Sequence, residues 1–213
     1  GVILDGLNSS MTNAGTITAY GSGASVIVRD GGTTTVSNSG TMTANIAGVW
    51  HKFGNGTLVF TNSGLVDSAG DAFRGGSSVD QVINSGTLIG DVILSGGNDL
   101  YDGRGGSVSG LIHGGEGDDR FILSGSAETL DGGMGSDTLD LAHANVRLTV
   151  NLATPGLNAG APVAGDSITG IENVTGGRQA DKLTGDSQDN HLIGNAGRDT
   201  LSGGMGHDVL EGG

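Results

Sequence analysis

Near the end of the chain a short carboxylate or amide recurs every nine residues, at Asp181, Asn190, Asp199 and Asp208. Leu183, Leu192, Leu201 and Leu210 follow each of them by two places. The units Gly176–Thr184, Gly185–Ile193, Gly194–Ser202 and Gly203–Glu211 read Gly-Gly-x-Gly-x-Asp-x-U-x, with U a large apolar residue. Gly212 and Gly213 open a fifth unit. An earlier block, Gly114–Ile122, Leu123–Asp131 and Gly132–Asp140, puts Asp119, Glu128 and Asp137 at position six. There Phe121, Leu130 and Leu139 stand at position eight. Short acids closing glycine-rich loops are chemistry for a hard cation. Ca²⁺ takes about 6–8 oxygen ligands at roughly 2.3–2.6 Å, which carboxylates and backbone carbonyls supply. Glycine lets a tight loop turn its carbonyls inward, because positive φ carries no Cβ cost. Two carboxylates per ion neutralise the cation and relieve repulsion along an edge of stacked acids.

Other chemistries find little support. The five histidines, at 51, 113, 143, 191 and 207, form no His-Glu-x-x-His and no pair at ligand spacing. His113, His191 and His207 fall on variable positions and read as solvated loop or strand residues. No Ser stands in Gly-x-Ser-x-Gly and no Gly-Lys-Ser/Thr is present, so neither a nucleophile elbow nor a phosphate loop is indicated. With no cysteine there is no disulfide framework, thiolate zinc site or cysteine nucleophile. The aromatic cluster Trp50-His51-Lys52-Phe53 reads as core or a lateral bulge, with sugar stacking as its functional alternative. Arg178, Lys182 and Arg198 most simply offset neighbouring acids.

The elements that must position these loops follow from composition. Glycine fills 44 of 213 positions, proline 2, and aromatics make up 3%. A helix-interior Gly costs about 0.5–1 kcal/mol relative to Ala, so a helical bundle is excluded. No strict Gly-X-Y period supports collagen. The net charge is −14; residues 1–95 hold six acids and three bases, and residues 96–213 hold seventeen and six. Such a surface disfavours nucleic acid and anionic membranes and favours cations. No apolar stretch approaches the roughly 20 residues of a membrane span.

In the first ninety residues Asn-Ala/Ser-Gly recurs at Asn13, Asn38, Asn62 and Asn84, spaced by 25, 24 and 22 residues. Between them lie β-prone segments: Ser25–Val28, Thr33–Val36, Thr57–Phe60, Val79–Ile83 and Val92–Leu94. Two or three short strands per 22–25 residues is the period of a parallel β-solenoid, and a β-sandwich is the alternative. The Asn residues are expected in turns, where they tolerate the left-handed conformation. Four regions are expected: β-helix-like coils over 1–93, a first nonapeptide block over 94–140, a linking strand and loop over 141–175, and a second block over 176–213. In the link, Val146, Leu148, Val150 and Leu152 alternate with polar residues as a period-two strand. Pro155–Gly165 reads as a loop before Ile168 and Ile171 resume the wall.

The nonapeptides resemble the RTX calcium-binding repeats of secreted bacterial proteins, a known β-helix signature. Ile171-Glu172-Asn173-Val174-Thr175-Gly176-Gly177 is similar to the entry of the β-roll in serralysin-type proteases, which marks Glu172 as a further candidate ligand. Residues 1–93 resemble, more loosely, the β-helical stalks of bacterial surface proteins. The resemblance implies an all-β chain: a right-handed parallel β-helix continuing into a calcium-binding parallel β-roll, with two nonapeptides per turn. It implies several Ca²⁺ ions, each held between one loop and the loop eighteen residues on. The first loop would give the carbonyls of positions two and four plus its acid, and the second those of one and three plus its acid. One set is then Gly115, Gly117, Asp119 with Gly132, Met134, Asp137. A second is Gly177, Gln179, Asp181 with Gly194, Ala196, Asp199. A third is Asp186, Gln188, Asn190 with Gly203, Met205, Asp208. A fourth, at a spacing of twenty, is Ser95, Gly97, Asp99 with Gly114, Glu116, Asp119. Gln179 and Gln188 stand where Gly is usual, so those loops are expected to hold a non-Gly residue in a Gly-favouring turn. Asn190 lacks the charge of an acid, and Glu128 is one methylene too long.

The resulting expectation is a non-catalytic, calcium-folded structural or adhesive region of a secreted or surface-attached Gram-negative protein, using type I secretion. Calcium is the expected partner, with a cell-surface or glycan partner open. The alternative is the accessory region of an extracellular epimerase, protease or lipase whose catalytic part lies elsewhere. The chain reads as a piece of a larger protein, and a classical N-terminal signal is not expected at Gly1.

Overall fold

The computed structural model describes residues 1–20, 23–29, 31–53, 55–123, 125–154 and 156–213; Pro155 of the expected loop lies outside them. Among the described residues there are strands and turns and no helix. Nearly every strand is short, because Gly, Asn or Asp interrupts the β-prone run after a few residues. A three-residue strand presents one side chain inward and two outward, so it cannot bury an apolar face alone. Parallel stacking solves this: equivalent strands of successive coils pair, and their inward residues form columns.

The longest column runs nearly the whole chain. Met11 pairs with Val36, Val36 with Phe60, Phe60 with Val82, and Val82 with Tyr101. It continues through Phe121, Leu139, Val174 and Leu192 to Leu210. These ten strands form one parallel sheet. A second, eleven-stranded sheet carries the facing column Val26, Val49, Phe73, Val92, Ile112, Leu130 and Ile168. Phe60 and Phe73, from the two facing sheets, stack with ring centroids 5.8 Å apart. The core is therefore a single aliphatic and aromatic rod inside a β-solenoid.

In the N-terminal coils a third column, Ile17, Met42, Val66, Leu88 and Val108, adds a third wall. Beyond Val108 that wall ends and each coil has two strands, which is what a nonapeptide pair can supply. The x-U-x triplets alternate between facing sheets as expected, for example Arg120–Ile122 and Thr138–Asp140 against Thr129–Met134. In the last coils the opposite wall is a three-stranded sheet, Thr149–Asn151, Lys182–Thr184 and Thr200–Ser202. The linking strand is shorter than its alternation suggests. Only Thr149–Asn151 is strand, although Leu148, Val150 and Leu152 are all buried. Ile168 and Ile171 are buried in the wall.

The recurring asparagines depart from expectation. Among the described residues the non-glycines with positive φ are Asn8, Ser95 and Asn195, so Asn13, Asn38, Asn62 and Asn84 are not left-handed turn residues. They end strands and are buried. The Nδ2 of Asn13 donates to Asn38 Oδ1 at 2.8 Å, Asn38 to Asn62 at 2.8 Å, and Asn62 to Asn84 at 2.9 Å. An amide has both a donor and an acceptor, so identical residues one coil apart satisfy each other. Stacking, not left-handed geometry, selects Asn there.

Candidate metal centres

The loops 114–119 and 132–137 show how the site is built. Gly115, Gly117, Gly133 and Gly135 all have positive φ, between 110° and 135°. Alternating signs of φ along a loop turn successive carbonyls toward the neighbouring coil. A side chain at Gly133 would collide with the Gly115 carbonyl oxygen, and one at Gly135 with that of Gly117. The carbonyls of positions two and four therefore point forward. A side chain at Gly114 would strike both Asp119 Oδ2 and the Gly132 carbonyl oxygen, so the carbonyl of position one points back. The Met134 carbonyl also faces back, accepting a bond from the Gly117 N–H at 2.9 Å. The carbonyls of Gly115, Gly117, Gly132 and Met134 thus turn toward one gap between these loops, with Asp119 Oδ2 beside it, and the Met134 side chain faces solvent.

The acids are held by the backbone. Asp119 Oδ1 accepts from the Asp99 N–H at 2.8 Å, and Asp137 Oδ1 from the Asp119 N–H at 2.8 Å. Glu172 Oε2 accepts from the Asp137 N–H at 2.8 Å, so Glu172 takes the next place on this edge despite a separation of 35 residues. Each acid is fixed by one oxygen to the coil before it. The second oxygens of Asp99, Asp119 and Asp137 are buried and have no hydrogen-bond partner. Burial pushes the Asp99 carboxyl up to about 8, Asp137 up to about 7 and Asp119 up to about 6. The backbone N–H bonds oppose the rise, and neighbouring acids add to it at each residue. A buried carboxylate oxygen without a donor is costly unless a cation or proton meets it. These oxygens, with convergent carbonyls, fit a hard divalent cation.

The fourth set shares this design. Side chains at Gly115 and Gly117 would collide with the Ser95 and Gly97 carbonyl oxygens, and Glu116 O accepts from the Gly97 N–H at 2.9 Å. Ser95 adopts φ 82°, a glycine-like conformation at position two.

The second block differs in detail. Gln179 and Gln188 do not have positive φ, so neither is strained in a Gly-favouring turn. The loops 176–181 and 185–190 instead fold onto their own position-six side chain. Gly177 N–H donates to Asp181 Oδ2 at 2.7 Å, and Asp186 N–H to Asn190 Oδ1 at 2.8 Å. Their carbonyls still face forward: side chains at Gly197, Gly204 and Gly206 would meet those of Gln179, Asp186 and Gln188. The Gly194 and Gly203 carbonyls face back toward Gly176 and Gly185. Asp199 Oδ1 accepts from the Asp181 N–H at 2.8 Å, and Asp208 Oδ1 from the Asn190 N–H at 3.0 Å. Asp199 Oδ2 is buried without a partner. No comparable contact marks the carbonyls of Gly177, Ala196 or Met205 among the described residues.

Two acids outside the expected sets share this environment. Asp166 is fully buried; its Oδ1 accepts from the Glu128 N–H at 2.9 Å and its Oδ2 has no partner. Burial pushes Asp166 up to about 6. Asp80 is fully buried and bonds His51 Nδ1 at 2.7 Å. Its signal was present in the sequence, since Gly75-Gly76-Ser77-Ser78-Val79-Asp80-Gln81-Val82-Ile83 is a nonapeptide with Ser at position four. Among the described residues no three His or acid side chains cluster as a metal site. A cation between these loops would take most of its oxygens from loop carbonyls. No helix among the described residues is long and apolar enough to cross a membrane.

Comparison with protein families agrees with this geometry. Residues 105–139, 168–201 and 184–213 match the family described as RTX calcium-binding nonapeptide repeat (4 copies). No curated protein matches the chain.

Proposed function

We propose that this chain, whose C-terminal part carries RTX repeats and folds as a β-roll, is a calcium-folded structural region of a secreted or surface-attached bacterial protein. The observation that carries the reading is the row of buried, partnerless oxygens on Asp99, Asp119, Asp137 and Asp199 along the glycine-rich loops. Calcium would sit in the gaps between those loops, held by Gly115, Gly117, Asp119, Gly132, Met134 and Asp137, and by the equivalent sets above and below. Coordination removes the cost of burying these carboxylates, so binding energy becomes folding energy. Where calcium is scarce the roll stays open, and where it is abundant the roll closes. That suits a region that folds after leaving the cell and then serves as a stalk or adhesive surface.

Calcium titration of the chelated chain, followed by calorimetry and circular dichroism, tests this reading. Saturable binding of several ions, with a gain of β-structure, is expected; Mg²⁺ should substitute poorly, since it demands near-octahedral geometry. Unchanged β-structure with no heat of binding would overturn it.

A further inference from the structure

The ladder of acids does not begin with the recognised repeats. Asp99 Oδ1 accepts from the Asp80 N–H at 2.6 Å, the same contact that joins Asp119 to Asp99 and Asp137 to Asp119. Positions two and four of loop 75–80 lack positive φ, as in loops 176–181 and 185–190, and its carbonyls are placed as in those loops. A side chain at Gly75 would strike the Leu94 carbonyl oxygen and Asp80 Oδ2, as one at Gly114 would strike those of Gly132 and Asp119. One at Gly97 would meet the Ser78 carbonyl. Gly96 N–H binds the Gly76 carbonyl at 3.0 Å, the counterpart of Met205 N–H on the Asp186 carbonyl. Asp99 is 2% exposed and Asp80 fully buried, and Asp99 Oδ2 has no partner. At the next three steps, Asp99, Asp119 and Asp137, the Oδ1 of the acid receives a backbone N–H of the coil before it. Asp80 Oδ1 receives His51 Nδ1 instead. His51 thus ends the ladder with a side-chain donor, and Gly76 N–H holds Asp80 Oδ2 at 2.9 Å.

We propose that loops 75–80 and 94–99 hold a further calcium ion, using the carbonyls of Gly76, Ser78, Leu94 and Gly96 and the carboxylates of Asp80 and Asp99. This site rests on the calcium reading of the lower loops, but lies N-terminal to every segment that matches the repeat family. It lies between coils that still carry the third wall, those of Val66 and Leu88, so calcium would extend the metal-held edge into the three-walled solenoid.

The chain carries its own probe. Trp50, the single tryptophan, precedes His51 in the strand Ala47–His51. Terbium replaces calcium in oxygen sites and emits when a nearby tryptophan is excited. The experiment counts calcium ions bound to the full chain by native mass spectrometry and measures terbium emission excited through Trp50, in wild type and Asp80→Asn. The expected result is one ion fewer in Asp80→Asn and a severalfold loss of emission, with wild-type emission chased by calcium. Should Asp80→Asn fail to fold in calcium, wild-type emission alone decides, because bound terbium without Trp50-excited emission overturns the proposal. Equal ion counts and equal emission in the two chains would remove this site and leave the calcium reading standing. No ion bound to wild type would remove both.

Discussion

Asp137 Oδ1 accepts the backbone N–H of Asp119 at 2.8 Å, across eighteen residues and one coil of the roll. One acid therefore has two separate duties. Its first oxygen stacks the coils, and its second is left buried and open to a cation.

Asp119→Asn separates these duties. The amide oxygen can still accept from the Asp99 N–H, so the fold in saturating calcium should survive. The charge and one metal-facing oxygen are lost, so calcium affinity should fall by about tenfold or more, roughly 1.4 kcal/mol. Calorimetry checks it, and an unchanged binding isotherm would contradict the second duty.

The two ends of the second block should differ. Asp199 keeps a buried oxygen without a partner, whereas Asn190 is neutral and its Oδ1 already holds the Asp186 N–H. Asp199→Ala should therefore cost more calcium affinity than Asn190→Ala. Equal losses would mean that charge and an open oxygen do not set site strength.

Metal-free stability should fall as pH rises. Asp99, Asp137, Asp119 and Asp166 are pushed up to about 8, 7, 6 and 6 by burial, while unfolded carboxyls titrate near 4. Between those limits the folded state binds more protons than the unfolded one. Its stabilisation is complete below about pH 4 and is lost as pH climbs through 6 to 8. In chelator, urea midpoints should be higher at mildly acidic pH than at alkaline pH. Excess calcium should reverse the order, because protons compete with the ion. Parallel profiles with and without calcium would contradict it.

The asparagine ladder should stabilise the N-terminal coils without metal. Asn38→Ala leaves Asn13 Nδ2 and Asn62 Oδ1 without their ladder partner in a buried row. An unsatisfied buried group costs about 1–3 kcal/mol, so a loss of roughly 2–4 kcal/mol is expected. Urea unfolding with and without calcium measures it, and the loss should be similar in both.

Much of this was legible because solenoids convert sequence period into structure directly. Leu183, Leu192 and Leu201 stand nine apart because each nonapeptide crosses to the opposite wall. What was not legible depends on contacts between coils. Asp137 and Glu172 meet across 35 positions, since residues 141–166 are inserted between them. The Asn13–Asn84 row reads as turns, because a single sequence does not show that identical amides stack. Asp80 escaped because Ser78 replaces the glycine at position four and the next acid on its edge is 19 residues on. Gln179 suggested strain, but its loop adopts a backbone that needs no glycine there.

Hydrogen exchange of the whole chain, with calcium and in chelator, tests the central claim most directly. The account predicts that loops and strands of residues 94–213 lose protection on chelation. Strands near Asn13 and Asn38, held by the amide ladder and the apolar columns, should keep theirs longer. Full protection of residues 94–213 in chelator would contradict the claim that calcium folds this roll.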